Sequence, residues 1–479
     1  MIIKQYDTEH SLYEIFSNLK TEEDAVFLDS SLKNKYGKYS IAGFLPYMKA
    51  EETDDSFFLN GKKQDGDCMK WLKGFLKENK EANSNPTGLP FVSGAIGYLT
   101  YDYGKRFMGQ KHIHPKYIRM PDCCFIFYRL YLIEDQETGE ITISAQDPDA
   151  VEWLLKKERD TGNWAAAFCK KIDGIPADVS CCKSEKNPDG QKSVPCNVVT
   201  SDFEKEDYKE AIARMVNYIV EGDIYITNMT RQIQIQSEAD PYELFSLLRE
   251  QNPSPFGGYF HYNDVEIISA SPERFFEIRN GVIRTRPIKG TRKRGATPEE
   301  DESLRLELQN SEKDKSELLM IVDLERNDLS RVCQSNSVKV EELFVTEAYA
   351  TVFHLVSTIS GKLHPDKDVV DVLEAMFPGG SITGAPKYRS MEIIDELEHS
   401  RRMLYTGSMG YIGFDGESDF NIVIRTLVYQ DGIYHIGAGG GITCESETEF
   451  EYEETCQKAA ALIRAAEEAV SGKRKAMES

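Results

Sequence analysis

Apolar residues recur along this chain at two spacings, and the changes of spacing mark its elements. Residues 12–19 predict a short helix. Residues 25–29 and 39–44 predict strands on either side of the KNKYGK turn. Residues 69–80 predict a helix with Trp71, Leu72 and Phe75 on one side. The run 91–104, FVSGAIGYLTYDYG, is an apolar strand in which Gly94 and Gly97 predict close backbone approach or a bulge. CCFIFYRLYLIE (123–134) reads as a buried strand. Residues 148–159 read as a helix capped by Asp147 with Pro148 at its first position. A second helix is expected from Trp164 to Ile172, after a break at Thr161-Gly162.

Residues 178–200 lose both periodicities and read as a linker or loop. They divide an N-terminal region, 1–177, from a second region, 201–470, and a polar tail, 471–479. The second region opens with a helix over 203–221, where Tyr208, Ile212, Met215, Val216 and Ile219 recur and Gly222 closes the last turn. A strand (224–236), a helix (241–251) and a hairpin follow. The hairpin, SPERFFEIRNGVIRTRP, turns at Asn280-Gly281. One long helix is expected over 298–326, with Thr297 as N-cap, Pro298 first and Glu300 three residues after the cap. Then come a strand and a helix within 350–376, a helix over 388–397, three strands (407–414, 419–429, 432–441) and a last helix near 450–469. No period of 20–50 residues repeats. Strands come in meanders and hairpins, so the fold class is α+β, not a doubly wound sheet.

The 479 residues and their 40% hydrophobic share allow a sizeable core. The net charge of -23 disfavours a general nucleic-acid binder, and no run of about 18 apolar residues predicts a membrane span. The polar N-terminus does not read as a secretory signal. Ten cysteines, none in a CxxC pair with zinc spacing, indicate a reduced cytoplasmic protein.

Against that acidic background, six of the eleven residues from Arg284 to Arg294 are Lys or Arg. The bland reading is a solvated basic loop. The chemical reading picks out Lys289, an amine on a strand end between Pro287 and Gly290, placed as an activated nucleophile. Acidic pairs lie three apart at Asp314/Glu317 and at Glu451/Glu454, so each pair shares a helix face. Such pairs are common on solvated helices. Two of these faces meeting would give an oxygen-only set suited to Mg²⁺, with Lys458 continuing the second face toward an anion. PGGSITGAPK (378–387) fails as a P-loop, since Ala385 and Pro386 separate Gly384 from Lys387. GAGGG (437–441) lacks the last glycine of GxGxxG, so a nucleotide cofactor is not expected. Both loops can turn tightly or offer N–H groups to a carboxylate.

SPERF (271–275), RPIKGT (286–291), SELLMIVDLERNDLSRV (316–332), FHLVSTISG (353–361), PGGSITGAPK (378–387), YTGSMGYI (405–412), IRTL (424–427), GAGGGIT (437–443) and EYEET (451–455) appear in this order. Together they resemble the chorismate-utilising enzymes, the family of anthranilate synthase component I, aminodeoxychorismate synthase component I and isochorismate synthase. FLDS (27–30), KYSIAGF (38–44) and GAIGYLTYD (94–102) extend the likeness more loosely to the first half. The resemblance implies an α/β sandwich with antiparallel sheets flanked by helices, and a Mg²⁺-dependent enzyme acting on chorismate. It implies Glu317 and Glu454 as direct metal ligands, with Glu451 and Asp314 helping through water. Tyr405, Arg425, the backbone at Gly439 and Gly441, and Lys458 would bind the substrate's carboxylates. His354 and Ser381 would sit against the ring substituents.

Anthranilate synthases usually carry alanine at the position of Lys289. PIKGT is similar to the aminodeoxychorismate synthase pattern, in which lysine adds to the ring while the 4-hydroxyl leaves and ammonia then takes its place at carbon 4. Glu273 would be the general acid and base, and cations such as Arg284 and Arg286 are expected to hold the amine neutral. Isochorismate synthases place a lysine where this chain has Ile226, which argues against that activity. Ser381 stands for a common threonine, Asp314 for a longer Glu, and Asp29 for a glutamate of feedback-sensitive enzymes, which puts tryptophan inhibition in doubt. The expected activity is amination of chorismate to 4-amino-4-deoxychorismate, toward 4-aminobenzoate and folate. The alternatives are anthranilate synthase component I and, remotely, a non-catalytic anion-binding regulatory protein. No GxCxG nucleophile elbow is present, so a separate glutamine amidotransferase subunit or free ammonium would supply the nitrogen.

Overall fold

The computed structural model describes residues 1–80, 85–162, 164, 198–349 and 352–477, with side chains in the last helix as far as 470. Helix ends follow local chemistry. Ser11 caps Leu12–Leu19 in a capping box with Glu14, Asp147 accepts the Ala150 N–H at the head of Pro148–Asp160, and Gly222 closes Lys205–Glu221 in the left-handed conformation. The strands Arg274–Arg279 and Val282–Thr285 join through Asn280 and Gly281 at φ 51° and 69°, a type I′ turn.

All strand pairings among the described residues are antiparallel. Side-chain alternation along them defines the layers. In Cys123–Asp135, Cys124, Ile126, Tyr128, Tyr131 and Ile133 enter one cluster, in which no member is helical. Strands Gly257–Tyr262, Val265–Ser269, Ser408–Gly413 and Thr426–Gln430 face the same cluster, which therefore lies between packed sheets. The intervening residues point outward under helices. Phe125 and Phe127 lie under Cys68–Asn79 and Val369–Met376; Leu130 and Leu132 lie under Leu12–Leu19 and Pro148–Asp160. Trp71 stacks on Phe75 at 4.9 Å, and Phe75 meets Phe127 edge-on at 5.1 Å. The fully buried Phe125 and Phe127 each contribute about 1.5–3 kcal/mol. The α+β sandwich with antiparallel sheets flanked by helices is the fold.

Gly94 and Gly97 lie where backbones approach. A Cβ on Gly94 would stand 1.9 Å from the Ile412 carbonyl, and one on Gly97 2.0 Å from the Cys124 carbonyl. Their strand, Gly94–Leu99, is flanked by Ser408–Gly413 and Cys123–Asp135, so it ties sequence-distant parts of the chain together.

Five expectations change. The strand expected over 91–104 spans only Gly94–Leu99, and Tyr103 opens a helix, Tyr103–Met108. The 298–326 helix is two helices, Pro298–Asn310 and Glu312–Ser330, because Ser311 leaves the helical conformation and its hydroxyl caps the second through the Asp314 N–H. The strand over 419–429 is broken between Ser418–Asn421 and Thr426–Gln430, where Arg425 takes φ 53°. The last helix, Thr448–Met477, runs through most of the expected tail. Residues 198–200, at the end of the expected linker, begin the strand Val198–Ser201. The expected helix over 164–172 and the rest of the linker lie outside the described residues, apart from Trp164.

Candidate active site

The strand Ile288–Lys293 pairs with Val352–Lys362, and its register shifts between Lys289 and Thr291. Gly290, at φ 68°, supplies that bulge, which re-aims the lysine. A Cβ at Gly290 would meet the Asp314 Cγ at 2.8 Å, so the glycine also admits the Glu312–Ser330 helix. Lys289 Nζ donates to the Ser381 carbonyl at 3.2 Å. It also fills the space over Gly441, where a Cβ would stand 3.2 Å from Nζ. The Ser381 hydroxyl donates to Glu273 Oε1 at 2.8 Å. Burial pushes the Glu273 carboxyl above the ordinary range, while the Ser381 hydroxyl and the Lys289 and Lys458 charges pull it back. A buried acid with raised proton affinity beside an amine is suited to moving one proton in each direction.

The two acidic helix faces converge here. Both Glu454 and Glu451 turn a carboxylate oxygen toward Gly440, 2.6 and 3.2 Å from where its Cβ would be. Glu317 is raised by burial and further by the nearby Asp314 and Glu454 charges, with Lys289 and Lys313 opposing. Glu451 is raised to about 6 by burial, against a Ser446 hydroxyl bond of 2.7 Å. Its other oxygen is buried and accepts no hydrogen bond. Carboxylates that repel one another, one with an orphaned buried oxygen, fit a divalent cation that would satisfy them. Asp314 is engaged by Arg292 at 3.1 Å. Among the described residues no three His, Cys, Asp or Glu side chains form a ready-made cage. Mg²⁺ does not need one, since it takes one or two carboxylates and keeps water and substrate ligands.

Lys458 spans Glu454 at 3.3 Å and the Gly439 carbonyl at 2.8 Å. Burial lowers its proton affinity, and Arg425 and Lys289 lower it further; a third of its side chain stays open, which tempers the effect. Arg425 donates to the Lys458 carbonyl. The Tyr405 ring occupies the space over Gly437, and burial raises its hydroxyl to about 12. His354 lies opposite Thr291 and shares a 3.0 Å hydrogen bond with its hydroxyl. Burial lowers the imidazole to about 4, so it is neutral at physiological pH. Glu273, Lys289, Glu317, Ser381, Arg425, Gly439, Gly441, Glu451, Glu454 and Lys458 thus share one site.

The arginines expected to act on Lys289 turn elsewhere. Arg284 pairs with Glu341 at 3.5 Å; Arg286 pairs with Glu347 at 2.6 Å and lies over the Tyr36 ring. The nearby cation is Lys458, whose own proton affinity the Lys289 charge helps to lower. Lys387 is a buried structural cation, bonded to Asp328 at 2.6 Å and to the Met376 and Pro378 carbonyls.

Two acids escaped the sequence reading. Glu325 and Asp328 are buried on the Glu312–Ser330 helix in one stripe with Leu318, Ile321, Val322 and Leu329. Carboxylates at apolar-stripe positions were the readable signal. Glu325 accepts the Thr285 hydroxyl at 2.6 Å and is raised to about 8 by burial, with Glu273 and Asp328 adding to it. Apart from this site, a cavity of about 490 Å³ is lined by Asp29, Tyr36, Arg274 and Asp419 among others. Asp29 is buried there and held by Arg249 at 2.9 Å.

The sequence profile of chorismate binding enzymes matches residues 25–464. Anthranilate synthase component 1 of Acetivibrio thermocellus is 33% identical, over 98% of this chain and 97% of its own length. Aminodeoxychorismate synthase component 1 of Bacillus subtilis (strain 168) is 36% identical over 90% of each. The structure of anthranilate synthase component I from Streptococcus pneumoniae TIGR4 superposes with a TM-score of 0.75 at 27% identity, covering 90% of this chain and 93% of that one. No helix among the described residues is long and apolar enough to cross a membrane. With its motifs gathered into one acid- and amine-lined site, the chain belongs to the chorismate binding enzyme family, as a chorismate-utilising enzyme of the anthranilate and aminodeoxychorismate synthase type.

Proposed function

We propose that this chain is an aminodeoxychorismate synthase component I, which aminates chorismate at carbon 4. The observation that carries the reading is the Lys289 amine, held by the Ser381 carbonyl over Gly441 and electrostatically coupled to Glu273. In this reading Glu273 gives its proton to the departing 4-hydroxyl, which leaves as water while the Lys289 amine bonds to the ring. Ammonia then bonds at carbon 4, the lysine leaves as its amine, and Glu273 takes up the proton that ammonia sheds. Lys458 and Arg425 hold a substrate carboxylate, and His354, neutral, sits against the ring substituents. Glu317 and Glu454 would hold Mg²⁺, with Glu451 and Asp314 acting through water; bound there, the ion neutralises and orients the ring carboxylate. A separate glutamine amidotransferase subunit supplies ammonia in the cytoplasm, for which free ammonium substitutes.

The second reading is anthranilate synthase component I, favoured by relatives of that name at similar identity. Mass spectrometry of the product from chorismate, ammonium and Mg²⁺ separates the two. We expect 4-amino-4-deoxychorismate, no product with glutamine alone, and a loss of about 100-fold or more in Lys289→Ala. Anthranilate as the product, or an unchanged rate in Lys289→Ala, would sink the reading.

A further inference from the structure

Asn228 lies on the strand Ile226–Gln236, directly opposite Gly441 in the antiparallel ladder. Residues so paired project to the same face. On that face the space over Gly441 is taken by the Lys289 amine. A second link brings Asn228 to the same place. Buried Arg402 donates to the Asn228 carbonyl and to the Ile382 carbonyl, each at 2.8 Å. It thereby clamps this strand to the Gly380–Ile382 turn, whose Ser381 carbonyl receives Lys289 Nζ.

Asn228 is 9% exposed, and its Oδ1 is buried without a hydrogen-bond partner. A buried amide oxygen left unsatisfied costs about 1–3 kcal/mol, so the acceptor is expected to find its donor during function. On the reading given above, the donors that come to this face are N–H groups: those of the lysine amine and those of ammonia.

We propose that Asn228 is a nucleophile-positioning residue, whose Oδ1 accepts one N–H of the Lys289 amine before attack and one N–H of ammonia afterwards. The residue type suits the task. A carboxylate here would favour the protonated, non-nucleophilic lysine. An amide oxygen takes a hydrogen bond without taking the proton, and holding one N–H fixes where the lone pair points. No bond is made or broken at Asn228. The inference deepens the proposed reaction and rests on it for the lysine step, but the ammonia step is common to both readings.

The test is steady-state kinetics of the full chain with chorismate, Mg²⁺ and ammonium chloride. Asn228→Leu keeps the size and removes the acceptor; it is expected to raise the ammonium KM about tenfold or more while the chorismate KM stays within about twofold. Asn228→Asp keeps an oxygen acceptor and is expected to hold the ammonium KM within about threefold of wild type while kcat falls, because its carboxylate favours the protonated lysine. Where leucine prevents folding, Asn228→Ala carries the same split. Equal changes in both KM values, an ammonium KM unchanged in the leucine or alanine variant, or one that rises as far with Asp as with Leu, overturns the proposal. If wild type yields anthranilate, the carbon-4 reading fails, while the ammonium split still decides the role of Asn228.

Discussion

Burial gives the acids in and beside the site a higher proton affinity than they have in water. Glu273, Glu325 and Glu451 are all raised, and in each the largest cause is burial. Glu325 is the sharpest case. It is 5% exposed, raised to about 8, and within reach of the charges on Glu273, Asp328 and Lys387. From pH 4.5 to about 8 the folded chain keeps a proton on Glu325 that the unfolded chain has lost. Stability from this group therefore falls as pH rises through that window and levels off above it. Glutamine can still accept from Thr285 and has no proton to lose. Glu325→Gln is expected to match wild type near pH 5 and to exceed it by about 2–4 kcal/mol at pH 8, below the full conversion because the neighbouring acids titrate together. Denaturant unfolding of both proteins at the two pH values measures this, and parallel pH dependence would refute it.

At the scale of elements, what the sequence disclosed were local signals. Ser11, Asp147 and Gly222 bound their helices as their side chains and backbone freedom dictate, and Asn280-Gly281 turned the hairpin. What it hid depended on partners far along the chain. Ser311 looks like one more polar position on an acidic helix, although its hydroxyl caps the second helix through the Asp314 N–H; where that helix packs, against Gly290, was not readable. Arg425 interrupts an apolar run, and nothing local marks its left-handed turn. The paired acids at 314/317 and 451/454 were visible as helix faces, and GAGGG as a bare run, but not that Gly440 in it is where Glu451 and Glu454 meet the strand. That strand can be probed. A methyl at Gly440 would press on the ends of two flexible glutamates and on no backbone atom among its nearest neighbours. Gly440→Ala is thus expected to change stability by less than about 1 kcal/mol. The Mg²⁺ concentration for half-maximal activity should rise about tenfold or more. Thermal melts beside Mg²⁺ titrations of activity provide the check; an unaltered Mg²⁺ requirement would remove Glu451 and Glu454 from the metal account.

At the scale of the whole molecule, strands from early and late in the chain alternate in the sheets. Val26–Asp29 pairs with Gly257–Tyr262, and Gly94–Leu99 lies between Ser408–Gly413 and Cys123–Asp135. The outer clusters also mix both parts: Phe127 shares one with Phe420 and Leu355, and Leu132 shares another with Ile436 and Ala466. Among the described residues, only the cluster of Tyr208, Ile212, Met229 and Ile393 lies wholly in the second part; the three larger ones are shared, so the two parts should unfold together. The three tryptophans, Trp71, Trp153 and Trp164, all report from the first 177 residues, while the acids and Lys289 report from the rest. Fluorescence and loss of chorismate turnover should therefore share one denaturation midpoint. Gly97 sharpens the test, because its added Cβ would strike the Cys124 carbonyl and the Phe125 backbone at 2.0 and 2.8 Å, in a layer with no flexible neighbour to give way. Gly97→Ala is expected to lose about 2–3 kcal/mol. Since that strand bridges early and late segments, both midpoints should move by the same amount, although Gly97 touches neither Lys289 nor the acids. A fluorescence midpoint that shifts while the activity midpoint stays would mean that the first 177 residues hold a core the catalytic part does not need.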